Sequence, residues 1–275
     1  MVEYYYEETV PPILKMENVS LRFGEKIIFQ DINLEIKDVK RKDQITGQIV
    51  GFLGPSGRGK TQLFKIIAGL RQPTTGTVLV NGKPVNPGDV GVVAQNYPLF
   101  LHRTVMGNLM LALNKTNLTK AEKKDKIQFY LERFKLADKL DYYPVSLSGG
   151  QRQRIAIIQQ LLCSDKFLLL DEPFSGLDPM MIDELSQTIL EIANMDDLNT
   201  IILISHDIQS TVAIANNLWI LGYVQDEQGN QLPGARIKYA DDLMQLGIAW
   251  NYPQVFEMPV FTDYVKNVRN SFKTL

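Results

Sequence analysis

The stretch "IVGFLGPSGRGKTQLFKIIAGL", residues 49–70, decides how the rest of the chain is read. It opens on a short apolar run, passes through a loop with glycines at 54, 57 and 59, and continues as apolar residues at helical spacing that stop at Gly69. Gly54, four residues, then Gly59-Lys60-Thr61 is the phosphate-loop spacing, here between a strand and a helix as that loop requires. Such a loop turns successive backbone N–H groups toward phosphate oxygens and sets the positive end of a helix dipole behind them. Lys60 is then placed for the β- and γ-phosphates, and Thr61 offers its hydroxyl to Mg²⁺. Pro55, Ser56, Gly57, Arg58 and Gln62 complete the same nucleotide cradle.

Two apolar strands supply partners for that loop. "FLLLDEP", residues 167–173, ends in Asp171 at the carboxyl end of a buried strand, where ligands of parallel sheets sit. Asp171 is thus a candidate for holding Mg²⁺. Glu172, one position on, points elsewhere and is the candidate general base for an attacking water. "ILISHD", residues 202–207, ends in one of only two histidines, and His206 reads as a γ-phosphate contact that orients the water. His102 has no such setting and reads as a loop residue.

The wider pattern is α/β. Residues 13–36 alternate apolar and polar with Gly24 at a turn, which predicts antiparallel strands. Short strands follow at 76–82 and 90–95, and a helical, lysine-rich region runs from about 104 to 165, whose charged run predicts a solvated helix face. Strands then alternate with a helix over 180–195, which indicates a mostly parallel sheet. Residues 225–234 predict a hairpin, 38–47 a solvated charged connection, "EYYYEE" at 3–8 a disordered end, and 241–275 a tail.

Composition narrows the class. The 275 residues carry a net charge of −2, which excludes nucleic acid held by bulk electrostatics as a partner. One cysteine excludes an internal disulfide framework and fits a reducing compartment. The most apolar stretch, 200–222, is broken by His206, Asp207, Asn216 and Asn217, so no spanning helix is expected. The acidic N-terminus lacks the basic region of a signal peptide.

"SLSGGQRQRIAI", residues 146–157, is a second helix start that reads as anion-facing. With it the chain resembles the nucleotide-binding subunit of an ABC (ATP-binding cassette) transporter over roughly residues 14–222. "LSGGQ" at 147–151 is similar to the family signature, Gln95 to the Q-loop glutamine, "SGLD" at 175–178 to the D-loop, and His206 to the switch histidine. Phe23 in "LRFG" stands where the family stacks an aromatic ring on adenine. The resemblance implies a phosphate-loop NTPase core with a mostly parallel sheet, an antiparallel β subdomain and a helical signature subdomain at about 97–165. The catalytic domain is expected at 13–240, between an N-terminal tail at 1–12 and a C-terminal extension at 241–275.

It further implies ATP and Mg²⁺ as cofactors, with Gln95 serving both catalysis and the metal. Ser148, Gly149, Gly150, Gln151 and Asp178 are expected to face nucleotide across a head-to-tail dimer. Two helix starts then make sense, since the second serves the partner's nucleotide. The expected function is ATP hydrolysis that energises solute transport, import by the wording of "QNYPLFLHRTV". The implied partners are transmembrane permease subunits, a second copy or related ATPase subunit and a solute-binding protein, at the cytoplasmic face of the membrane. Residues 95–101 are the expected groove for a membrane-subunit helix. The alternative is a soluble ABC ATPase without a pore, of the iron–sulfur assembly type. A non-hydrolysing nucleotide-binding regulator is disfavoured by Glu172 and His206. Gln62 departs from the hydroxyl residue usual in the family, the 38–47 stretch is longer than the family needs, and the tail is too short for the regulatory domain of sugar importers.

Overall fold

The computed structural model describes residues 2–42, 44, 46–94, 98–114, 116–164, 167–195 and 200–272. Strand β1 (Tyr4–Tyr6) precedes the antiparallel pair β2 (Leu14–Phe23) and β3 (Lys26–Ile36), which turn at Gly24 as the alternation predicts. After β4 (Val39–Arg41) comes β5 (Gln48–Leu53), the phosphate-loop strand, and then helix α1 (Lys60–Ile67). Strands β6 (Thr75–Val80) and β7 (Lys83–Pro84) complete a four-stranded antiparallel sheet of order β3-β2-β6-β7. Strand β8 (Gly91–Val93) leads into α2 (Val105–Ala112), α3 (Lys120–Arg133) and α4 (Gly149–Cys163). Then follow β9 (Phe167–Asp171), α5 (Pro179–Ala193), β10 (Thr200–Ser205), α6 (Ile208–Ile214), β11 (Asn217–Gly222), β12 (Arg236–Asp242) and α7 (Pro259–Ser271).

The main sheet has the order β12-β11-β5-β10-β9-β8 and is parallel except for β12. Every residue of β5 and β10 is buried, as central parallel strands covered on both faces should be. Side chains alternate between two cores. Ile49, Leu53, Ile201 and Leu203 face the helices α2 and α4–α7, whereas Val50, Phe52, Ile202 and Ile204 face α1 and the antiparallel sheet. The molecule is therefore three-layered, and the α/β expectation holds.

Three expectations fail together. "EYYYEE" is not a disordered end: β1 pairs antiparallel with β4, Tyr4 opposite Arg41 and Tyr6 opposite Val39. The 38–47 connection is not simply solvated, because it supplies β4 and buries Asp38, Val39 and Thr46. Residues 241–272 are not a tail outside the core. Leu243, Met244, Ile248, Val255, Phe261, Val265 and Val268 join the helix-side core, which periodicity over a short amphipathic segment did not reveal. The Tyr4 and Tyr6 hydroxyls both donate to Asp242, so β1 is tied to the end of β12. The segment 225–234 does turn back on itself, through a bridge between Gln225 and Gln231.

Candidate functional site

Strand order builds the site. Strand β10 lies between β5 and β9, with Ser205 opposite Leu53 and Ile204 opposite Asp171. Three carboxyl ends thus release Gly54, Glu172 and His206 side by side, at the strand spacing of about 4.8 Å. Gly59, the residue before α1, has φ of 90° and a Cβ there would lie 2.7 Å from the Ile28 side chain, so only glycine fits.

Lys60 is buried, and its Nζ donates to the carbonyls of Gly54 at 2.7 Å and Pro55 at 3.2 Å. It also stands 3.7 Å from Glu172 Oε1. Burial lowers the Lys60 pKa, and the charges of Glu172 and Asp171 oppose that shift. Glu172 itself occupies the left-handed region with φ of 50°, a costly conformation for a residue with a side chain. Its backbone N–H donates to Ile204 O at 2.7 Å, which fixes the turn against β10. Its Oε2 meets His206 Nδ1 at 2.7 Å and accepts from the His206 backbone N–H at 3.2 Å. One carboxylate therefore bridges the phosphate-loop lysine and the histidine.

Asp171 is partly buried beside this group. Burial raises its pKa first, the Glu172 charge adds to the rise, and Lys60 and Lys65 oppose it. Its Oδ1 is buried without a hydrogen-bond partner. An orphaned carboxylate oxygen is the kind of hard donor that Mg²⁺ takes, and Thr61, the second residue of α1, is exposed. Gln62 Oε1 is likewise buried without a hydrogen-bond partner.

The remaining predicted residues fall elsewhere in this frame. Phe23 ends β2 and is 43% exposed, so it is no core aromatic. Ser148 caps α4 by accepting from the Gln151 N–H, while Gln151 Oε1 accepts from the Ser148 N–H. Nothing crowds the backbone at Gly149, and Gly150 meets only the end of Met181. Asp178 caps α5 by accepting from the Met181 N–H. Ser56 and Gly57 are exposed and Pro55 half-buried on the loop. Gln95 lies outside the described residues. His102 is exposed and edge-on to Phe100, as its lack of context suggested.

Sequence reasoning passed over three residues. Ser205 Oγ lies 3.4 Å from Glu172 Oε2 and accepts from the Asp207 N–H at 3.0 Å, so it braces the turn that carries His206. A hydroxyl residue closing an apolar strand was the available signal. Tyr223 carries the Arg58 guanidinium over its ring at 4.1 Å and Arg71 sits over Phe23 at 4.9 Å, pairs far apart in sequence.

The family model described as ABC transporter matches residues 42–175. The sulfate/thiosulfate import ATP-binding protein CysA 2 of Shewanella oneidensis is 37% identical over 225 residues, covering 78% of this chain and 61% of that protein. The probable sulfate/thiosulfate import ATP-binding protein CysA of Chlorella vulgaris is 35% identical over 211 residues, covering 75% of this chain and 86% of that protein. The spermidine/putrescine import ATP-binding protein PotA of Pseudomonas aeruginosa is 35% identical over 225 residues, covering 79% of this chain and 59% of that protein. This chain spans 59–63% of the length of several such relatives. Among solved structures, cbiO1 from Clostridium perfringens, part of the ABC transporter complex cbiONQ, superposes with a TM-score of 0.71 at 25% identity, over 86% of this chain and 91% of that one. At these identities, over three quarters or more of this chain, the chain belongs to the ABC transporter family.

Proposed function

We propose that this chain is an ATP-hydrolysing subunit that energises import of a solute through separate transmembrane subunits, from the cytoplasmic face of the membrane. The observation that carries this reading is the Lys60–Glu172–His206 cluster at the carboxyl ends of adjacent parallel strands. The catalytic body is 13–240, with the helical part at 97–165 facing the membrane partner. The exposed side chains of Phe100 and Leu101 support that docking role. The relatives' printed roles in import favour import here.

Lys60 exchanges its loop carbonyls for the β- and γ-phosphates of ATP, and Phe23 stacks on the base. Thr61, Asp171 and Gln95 are the residues that hold Mg²⁺, which the unpaired Asp171 oxygen fits. When bound, Mg²⁺ supplies positive charge to the phosphate oxygens as a Lewis acid. Glu172 takes a proton from the attacking water as the water oxygen bonds to the γ-phosphorus and the bond to ADP breaks. His206 holds the Glu172 carboxylate in place and contacts the γ-phosphate. Ser148, Gly149, Gly150 and Gln151 of a second copy or a related ATPase subunit close over the nucleotide, with Asp178 at the same interface. The partners are permease subunits and a solute-binding protein.

The purified chain should hydrolyse Mg·ATP, and Glu172→Gln should lower turnover by about 10²–10⁴ while ATP still binds. Near-normal hydrolysis by that variant removes Glu172 as the base. Tagged and recovered from native membranes, the same variant should carry a multi-span permease with it. Recovery of soluble partners alone points to a pore-free assembly ATPase instead.

A further inference from the structure

We infer that Arg71 is a positioning residue for the nucleotide base, acting through Phe23; this rests on the proposed role of Phe23 as the adenine platform. The Arg71 guanidinium lies 4.9 Å from the centre of the Phe23 ring, inside the range of a cation–π contact. Arg71 Nε is buried and has no hydrogen-bond partner. Phe23 is nevertheless 43% exposed. A cation thus lies over the ring, which keeps enough open area for a planar ligand. A cation behind an aromatic ring fixes its orientation and draws its π-density away from the open face, which favours stacking of an electron-rich purine there.

Backbone hydrogen bonds hold this arrangement from both sides. Helix α1 stops at Gly69, whose φ is 70°, and the N–H groups of Leu70 and Arg71 both donate to Lys65 O, at 2.8 and 3.1 Å. Three residues on, the Thr74 N–H donates to Ser20 O at 2.8 Å, and Thr74 Oγ1 accepts from the Arg22 N–H at 3.0 Å. Arg71 is therefore tied to the last turn of α1 and, through Thr74, to the end of β2 that carries Phe23. The first residue of α1 is Lys60. One short helix, about 12 Å long by its rise per residue, links the lysine that meets the phosphates to the arginine behind the base platform. Arg71 touches neither phosphate nor base in this scheme. Its effect is confined to binding of the base.

The test is calorimetric titration of the purified full chain with Mg·ATP and with Mg·tripolyphosphate, which has no base. Arg71→Met should weaken ATP binding by about three- to tenfold, the worth of one partly exposed cation–π contact and the ring order it maintains, and leave tripolyphosphate unchanged. Arg71→Lys should recover part of the loss. At saturating ATP the turnover of Arg71→Met should match wild type, so the change lies in KM. In the double variant with Phe23→Ala, Arg71→Met should add nothing, because its action needs the ring. Unchanged ATP affinity in Arg71→Met, an equal loss on tripolyphosphate, or full additivity with Phe23→Ala overturns the inference while the platform stands. If Phe23→Ala alone leaves ATP affinity unchanged, the platform itself is wrong and Arg71 falls with it.

Discussion

Asp171 and Glu172 are neighbours with opposite situations. Glu172 is satisfied, its carboxylate shared between Lys60 and His206. Asp171 is not: one of its oxygens is buried with no partner, and burial together with the Glu172 charge pushes its pKa above the ordinary 3.8. A carboxyl whose folded pKa is raised binds its proton more tightly folded than unfolded. Its ionisation therefore counts against folding, stability falls as pH rises through the window above 3.8, and the penalty persists at neutral pH. Asp171→Asn should raise the melting temperature of the nucleotide-free chain at pH 7, by about 2–4 °C if roughly 1 kcal/mol is relieved. The gain should shrink as the pH is lowered toward the carboxyl range, and Mg²⁺-dependent hydrolysis should be lost. A lower melting temperature would show that Asp171 is paired by a group the structure leaves apart. Under the proposed metal-holding role of Asp171, function is held against stability at a single oxygen.

At the scale of elements, two helices begin at glycine-rich turns and do different things with their free N–H groups. Helix α1 opens on Gly59 with no side-chain cap, so its first amides remain for a ligand. Helix α4 opens on a capping box between Ser148 and Gln151, which leaves the amides of Gly149 and Gly150 open on an uncrowded turn. If the second start serves the nucleotide of the other subunit, lesions at the two starts should complement. Lys60→Ala and Ser148→Arg should each give a nearly inactive homodimer. In a mixed dimer both lesions fall in one composite site, and the opposite site keeps an intact Lys60 and an intact Ser148. Mixing the two inactive proteins should restore hydrolysis, with wild type mixed into each variant as the control for one competent site. No restoration when single sites are competent would make the signature act within its own chain.

At the scale of the whole molecule, residues 4–6 and 241–272 belong to the fold. Tyr4 and Tyr6 reach Asp242, Tyr264 donates to Asp241 at 2.6 Å, and Tyr252 donates to Asp183 on α5. Helix α7 lays Phe261, Val265 and Val268 into the helix-side core against α6. Since α5 starts just after Asp178 and α6 just after Asp207, the C-terminal segment backs the two helices that follow Asp178 and His206. Phe261 is 3% exposed, so Phe261→Ala should cost about 3–5 kcal/mol in denaturant unfolding, the usual loss for emptying a buried aromatic site. A loss under 1 kcal/mol would mean that the segment docks without bearing on stability.

The sequence by itself determined the strand, glycine loop and helix around residues 48–67, the acidic pair at the end of one apolar strand, the histidine after another, the helix start at Ser148 and the α/β alternation. Each is a local pattern: a spacing of glycines, a run of buried strand residues, or a cap before a helix, all set by contacts within a few positions. What only the tertiary structure decided was strand order and everything that depends on it. That β10 lies between β5 and β9 brings Lys60, Glu172 and His206 together, and no local spacing encodes which strands become neighbours. The same holds for Arg71 behind Phe23 and Arg58 on Tyr223. Residues 4–6 and 39–41 each supply only half of a two-stranded pair, and the 241–272 segment hides its apolar face in a core built by helices far upstream. Segments that bury little alone are stabilised by a surface that exists only after the rest has folded.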